Sequence, residues 1–209
     1  FYSPATYYVA YLEMIRAQQF ADSLLQRAQQ VIAQWDLGTD VANTSAALGT
    51  CVLLAAERQK DRDTHDAEQV AELLGECAET LLAAQGRLDP PWGEVNRHVR
   101  GEVNVPVGGG PDILRAIYGR GLKEEGFLTN VAGDGLYYLV AWDADGQLSV
   151  EGVHQFGSAT LDESSQHYSD QAVDYANEVL HAPLFDEASL QQNLLRAYRP
   201  GTETVSSIR

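Results

Sequence analysis

The chain has 209 residues, 44% of them hydrophobic, which is enough for one domain or two small ones with a real core. Its 14 basic and 30 acidic residues give a formal net charge of −16. That field repels nucleic acid and anionic membrane surfaces, so neither is expected as a partner. No apolar run reaches the roughly 18 residues a membrane helix needs, and no basic-then-apolar start marks a signal peptide. A chain opening FYSPATYYVAY, away from any initiating Met, reads as a processed product or a cut segment, so its parent's location is not written in it.

Residues 1–88 read as a helical region. Phe20, Leu24, Ala28, Val31, Ile32 and Trp35 recur at spacings of three and four, the signature of one helix face. Residues 36–40 break the pattern, with Gly38 as the expected C-terminal cap. Asn43, Thr44 and Ser45 offer N-cap side chains for a second helix through about Arg58. A charged connector, residues 60–63, leads to a third helix over 66–84, with Val70, Leu73, Leu74, Cys77 and Leu81 on one stripe. The short links predict antiparallel neighbours whose role is packing. Cys51 and Cys77 fall on the second and third helices and match no metal spacing. They suit small core side chains, or a disulfide if the two helices pair with those positions facing.

Residues 89–209 form the second part. Asp89-Pro90-Pro91 stops the third helix. The run Val105-Pro106-Val107-Gly108-Gly109-Gly110-Pro111 reads as a structural loop whose glycines serve unusual backbone angles or a close approach. It lacks the spacing of a phosphate-binding loop. Residues 126–142 end in an aromatic, strand-forming run, Asp143-Ala144-Asp145-Gly146 is a turn, and 147–156 is a second strand. No other long strand stands out, so the hairpin either leans on the helices or belongs to a sheet whose other strands are elsewhere. Residues 172–180 suit a helix, 181–185 interrupt it, Asp186 caps another over 187–198, and a polar tail follows from Pro200.

The stretch FGSATLDESSQHYSDQ, residues 156–171, holds the only tempting chemistry. Ser164, Ser165 and Ser169 lie near His167 and Asp170, but triads converge in space and neighbours in sequence seldom do, and no GxSxG elbow is present. A structural role for the histidine, tyrosine, aspartate and glutamine, bonding backbone where the chain leaves a strand, is the expectation. His154, His167, Asp170 and His181 show no metal-ligand spacing, and the pairs Asp143/Asp145 and Asp162/Glu163 read as solvated turns rather than calcium loops.

Two stretches together resemble the penicillin acylase (penicillin amidase) family of N-terminal nucleophile hydrolases, which includes acyl-homoserine lactone and aculeacin-type acylases. The first is WGxVxRxxRGxVxxPVGGGPxxLRAxYG, carried by Trp92, Arg97, Arg100, Gly101, 106–111 and 114–119. The second is HYxDQ, carried by His167, Tyr168, Asp170 and Gln171, although Phe156, Ala159 and Gln166 depart from the usual form of that region. The resemblance implies an α+β chain contributing to a four-layer αββα core as the C-terminal part of the β-chain. It implies an amidohydrolase that uses no cofactor and attacks through an N-terminal serine whose own amine is the base. None of the family's catalytic residues falls on this sequence. Implied substrates are acyl-homoserine lactones, β-lactam side chains and lipopeptide acyl groups. Implied partners are the rest of the β-chain and the α-chain, with a homodimer open to the fragment, and the implied location is the periplasm or outside the cell. The competing reading is a stand-alone, self-associating interaction module without catalytic activity.

Overall fold

In the first half of the chain, apolar residues at helical spacing are turned inward from four helices: α1 Val9–Ala17, α2 Ser23–Gln34, α3 Ala46–Arg58 and α4 Ala67–Gln85. The computed structural model describes residues 2–3, 9–58, 66–159, 161–194 and 201. The charged connector at 60–63 and most of the C-terminal tail therefore lie outside the described residues, as do most of the first eight positions. Leu12, Ile15, Ile32, Leu48, Leu74 and Leu81 meet in one core and are almost wholly buried. Each such side chain stabilises the fold by about 1.5–3 kcal/mol relative to exposure.

Local chemistry sets where the helices start. Asp22 accepts from the backbone N–H groups of Leu24 and Leu25 at 2.8 and 3.0 Å, so α2 begins at Ser23 rather than at Phe20. Asn43 accepts from Ser45 and Ala46, as its position before α3 predicts. Asp66 and Gln69 form a reciprocal capping box at α4. The expected glycine cap at Gly38 is corrected by the structure: the left-handed residue there is Leu37, with φ 66°. Asp36 instead accepts from the Gly38 N–H at 2.8 Å and from the Asn43 side chain at 2.9 Å, and these bonds turn the chain. Helix α1 lies ahead of the stripe read from the sequence, and its short pattern of Val9, Tyr11, Leu12 and Ile15 supplies the missing wall.

Helices α3 and α4 are joined covalently. Cys51 and Cys77 form a disulfide across a Cα separation of 5.9 Å. The open alternative for the two cysteines thus closes on the bonded form. Trp35 lies so close over α3 that a Cβ at Gly49 would overlap its six-membered ring.

After α4 come a single turn, α5 Trp92–Val95, and the strands β1 Asn96–Arg100, β2 Val103–Pro106, β3 Ile117–Arg120 and β4 Leu128–Gly133, with the turn α6 Leu122–Glu125 before β4. These strands make a sheet of order β2-β1-β4-β3. β1 pairs antiparallel with β2, from Arg97 opposite Pro106 to Arg100 opposite Val103, and parallel with β4. β3 runs antiparallel to β4 with an irregularity at Tyr118/Gly119. This sheet goes beyond the single hairpin the sequence suggested, because each strand is only four to six residues long. The hairpin is present as well, as β5 Leu136–Trp142 and β6 Leu148–His154. Asp143 fixes its turn by accepting from Asp145 and Gln147. Helix α7 spans Ala172–Ala176, shorter than expected, and α8 spans Glu187–Gln192 behind the Asp186 cap. The expected run of that last helix from 195 to 198 lies outside the described residues.

The architecture is α+β. By contact the chain divides into two compact units, Phe1–Tyr137 with Val153–Val179, and Tyr138–Gly152 with Leu180–Arg209. In the second unit Gly152 and His181 exchange backbone hydrogen bonds, which ties the returning chain to β6.

The disulfide spans 26 residues of sequence, and closing a loop of that size restricts the unfolded chain by roughly 3–4 kcal/mol. The Cys51→Ala/Cys77→Ala double variant should unfold at lower urea, with a loss of about that size. Reductant should lower the midpoint of the native chain and leave the double variant unmoved.

Candidate functional site

The HYSDQ segment is seated on β1. The segment from 156 to 171 returns to its own start, where the Gln171 N–H donates to the Phe156 carbonyl at 2.8 Å and the Ala159 N–H to the His167 carbonyl at 3.0 Å. Gly157 lies against this turn, and a Cβ there would overlap the His167 carbonyl and the Asp170 carboxylate. Glycine is required there by space, not by an unusual φ.

Each motif residue has a definite place. His167 Nδ1 lies 2.7 Å from an Asp170 carboxylate oxygen, and its other nitrogen lies 3.2 Å from the Gln166 side-chain amide. Gln171 accepts from the His154 backbone N–H at 2.9 Å, fastening the segment to β6. The face of Tyr168 carries the Arg100 guanidinium, 3.7 Å from the ring centroid, and Phe156 takes the same guanidinium at 4.5 Å. The Tyr168 carbonyl accepts from Arg100 Nε at 3.3 Å. Next to it Gly101, at φ 58°, leaves the space a Cβ would take, 3.3 Å from the Tyr168 ring. The two motif stretches, far apart in sequence, therefore meet through Arg100, Gly101 and Tyr168.

Beneath this contact lies a residue that the sequence reading passed over. His98 on β1 is 2% exposed and lies 5.3 Å from the Phe156 ring, with Tyr175 of α7 at 5.0 Å. Its Nε2 bonds the Gln155 carbonyl at 2.6 Å, so that nitrogen bears the hydrogen. Burial pushes the His98 pKa down, the Gln155 carbonyl opposes this, and the nearby Arg115 charge adds to it, so the ring is held neutral. Arg115 in turn forms an ion pair with Glu178, donates to the Tyr175 carbonyl at 2.5 Å, and lies over the Tyr175 and Tyr137 rings. The Tyr175 hydroxyl donates to the Asp134 carbonyl at 2.6 Å. Only alternation along a four-residue-scale strand could have flagged His98, and β1 was not legible as a strand.

Ser164 and Ser165 bond within the segment rather than to the His167 ring. Ser164 Oγ donates to Asp162 at 2.6 Å, Ser165 Oγ accepts from the His167 N–H at 3.1 Å, and the far nitrogen of His167 faces Gln166. The Asp170–His167 pair thus has its outer imidazole nitrogen turned to the Gln166 amide, not to Ser164 or Ser165. No group of three or more histidine, cysteine or carboxylate side chains gathers among the described residues. The triple glycine serves the backbone: Gly109, at φ 90°, presents its carbonyl to the Trp92 indole N–H at 2.8 Å. A cleft of about 600 Å³ runs between α3, α4 and β3, past the disulfide, and its lining includes Arg58, Arg120 and Lys123 as well as Glu76, Glu79 and Glu124.

The sequence model of the penicillin amidase family matches residues 3–192. No curated protein matches the chain.

The lowered pKa of His98 has a stability consequence with a definite sign. Its neutral form is favoured by the fold, so its contribution is complete above the ordinary value of 6.5 and is lost as pH falls below it. Urea midpoints measured at about pH 8 and about pH 5 should fall more for the native chain than for His98→Phe, which keeps the ring stacking without the titration.

Proposed function

The chain belongs to the penicillin amidase family, and on that premise we propose that it is the C-terminal part of the β-chain of an acylase that hydrolyses a linear amide. The reactive serine then belongs to a part of the protein outside these residues. Its hydroxyl oxygen attacks the amide carbon, its own α-amine takes the proton, the amine product leaves carrying that proton, and water releases the acid from the acyl-serine. This chain contributes scaffold to that reaction. Penicillins, acyl-homoserine lactones and lipopeptide acyl groups are the candidate substrates.

The observation that carries the scaffold reading is the hairpin. Alternate residues of a strand point to opposite faces, and on β5 both sets are apolar and exposed: Tyr138 at 51% and Trp142 at 66% on one, Leu139 at 61% on the other. A two-stranded ribbon with two wet apolar faces is not stable alone. It fits a strand pair covered on both sides, which is what an αββα core supplies, with the remaining β-chain and the α-chain as the covering partners. The Cys51–Cys77 disulfide supports a periplasmic or secreted location, since such bonds persist in oxidising compartments. Unpaired hairpin edges also favour self-association of the chain by itself.

Purified alone, the 209-residue chain should show no turnover on a panel of acyl amides, and production together with its upstream region should restore it. Turnover by the chain alone that disappears in Ser164→Ala or Ser169→Ala would overturn the proposal.

A further inference from the structure

Residues 156–171 lie on β1 as a cover held at few points. Among their described positions only Gly157 is buried, and Leu161 is 97% exposed. Phe156 stacks on the His98 ring, with centroids 5.3 Å apart and planes 12° from parallel, and the neighbouring Gln155 carbonyl accepts from His98 Nε2 at 2.6 Å. Tyr168 lies against Arg100, and Gln171 accepts from the His154 N–H. The Gln171 N–H also reaches back to the Phe156 carbonyl, so the two ends hold or leave together. Beneath them the packing is incomplete, with a cavity of about 100 Å³ bordered by His98, Gln155, Phe156 and Tyr175. A segment with so little buried surface opens at a lower cost than the helical core.

We propose that this segment is an acid-released cover: a proton on His98 frees residues 156–171 from β1 while the helical core stays closed. Access to water decides it. His98 is 2% exposed because Phe156 and Tyr175 shield its ring. Tyr175 belongs to α7 but Phe156 belongs to the cover, so lifting the cover wets the imidazole. A charge on the seated ring gains no such hydration. The charged groups around it do not make up the loss. Arg115 is a cation, and its own partner is Glu178. Asp134, which borders the same cavity, accepts from the Ala116 N–H at 2.9 Å and from the Tyr137 hydroxyl at 3.3 Å. Burial pushes the Tyr137 and Tyr175 hydroxyls up, so both stay neutral. Arg100, on the same strand as His98, reaches Phe156 at 4.5 Å and adds a second positive charge. His167 and Asp170 bond each other at exposed positions of the cover. The neutral ring therefore favours the closed cover, which is fully held above the ordinary histidine value of 6.5 and is released as pH falls below it. The effect is local because the element that hides His98 is also one that opens easily. It does not rest on the family assignment.

Hydrogen exchange read by mass spectrometry on the intact protein, with rates corrected for the intrinsic effect of pH, tests this. Peptides within 153–171 should lose protection by up to about thirty-fold between about pH 7.5 and about pH 5, the limit set by an open-state histidine titrating at 6.5. Peptides of α3 and α4 should keep theirs, and in His98→Phe the 153–171 peptides should keep theirs too. Should His98→Phe fail to fold, His98→Gln takes its place, since it keeps a donor for the Gln155 carbonyl and does not titrate. A flat profile for 153–171 in the native protein overturns the proposal and needs no variant. Equal loss in α3 and α4 overturns it by reporting general unfolding. An undiminished response in the non-titrating variant overturns it by placing the acid sensitivity elsewhere.

Discussion

Trp92 is the joint on which both halves of the fold depend. It is 1% exposed, and its indole N–H is spent on the Gly109 carbonyl at 2.8 Å. Its backbone N–H donates to Asn43 at 2.8 Å, and the following Gly93 N–H donates to Val41. One residue thus packs into the helical core, anchors the loop ahead of α3, and pins the glycine-rich loop that leads to β3. A buried aromatic with a polar handle is suited to this, since its area stabilises and its single donor fixes orientation. Val107 N–H and the Asn96 side chain then continue the same seam, the latter donating to the Val107 carbonyl at 3.0 Å. With β1 placed by that seam, His98 and Arg100 are delivered to the HYSDQ segment.

Elements with long apolar periodicity were legible in the sequence. The stripes through Ala28 and Ile32, and through Val70, Leu74 and Leu81, are the buried faces of α2 and α4. The caps at Asn43 and Asp186 were legible for a different reason, because their side chains bond backbone within three residues. The four-stranded sheet was not. β2 ends on Pro106, β3 contains Gly119 and β4 ends on Gly133, so propensity argues against each strand in isolation, and the pairing of β1 with β4 comes from far along the chain. Gly38 misled because glycine marks a turn without saying which residue bears the positive φ, and here an Asp36 side chain moved that role to Leu37.

At the site the division is similar. His167, Tyr168, Asp170 and Gln171 could be singled out as a motif, and local spacing even brings the imidazole to the carboxylate. What they act on could not be read. Arg100 is 68 residues from the Tyr168 carbonyl it touches, and His98 is 57 from Gln155. Contacts of that range leave no periodic trace in one sequence. The two motif stretches are the two sides of a single guanidinium–aromatic contact, which places Arg100 against Phe156 and Tyr168.

The Cys51–Cys77 bridge has a bearing on how the polypeptide would survive damage. A backbone break anywhere between those positions severs the thread but leaves both pieces fastened, one through α3 and the other through α4. Such a nicked molecule would migrate as one species until a thiol separated it, and its core faces would stay in register meanwhile. The cross-link therefore protects continuity as well as stability.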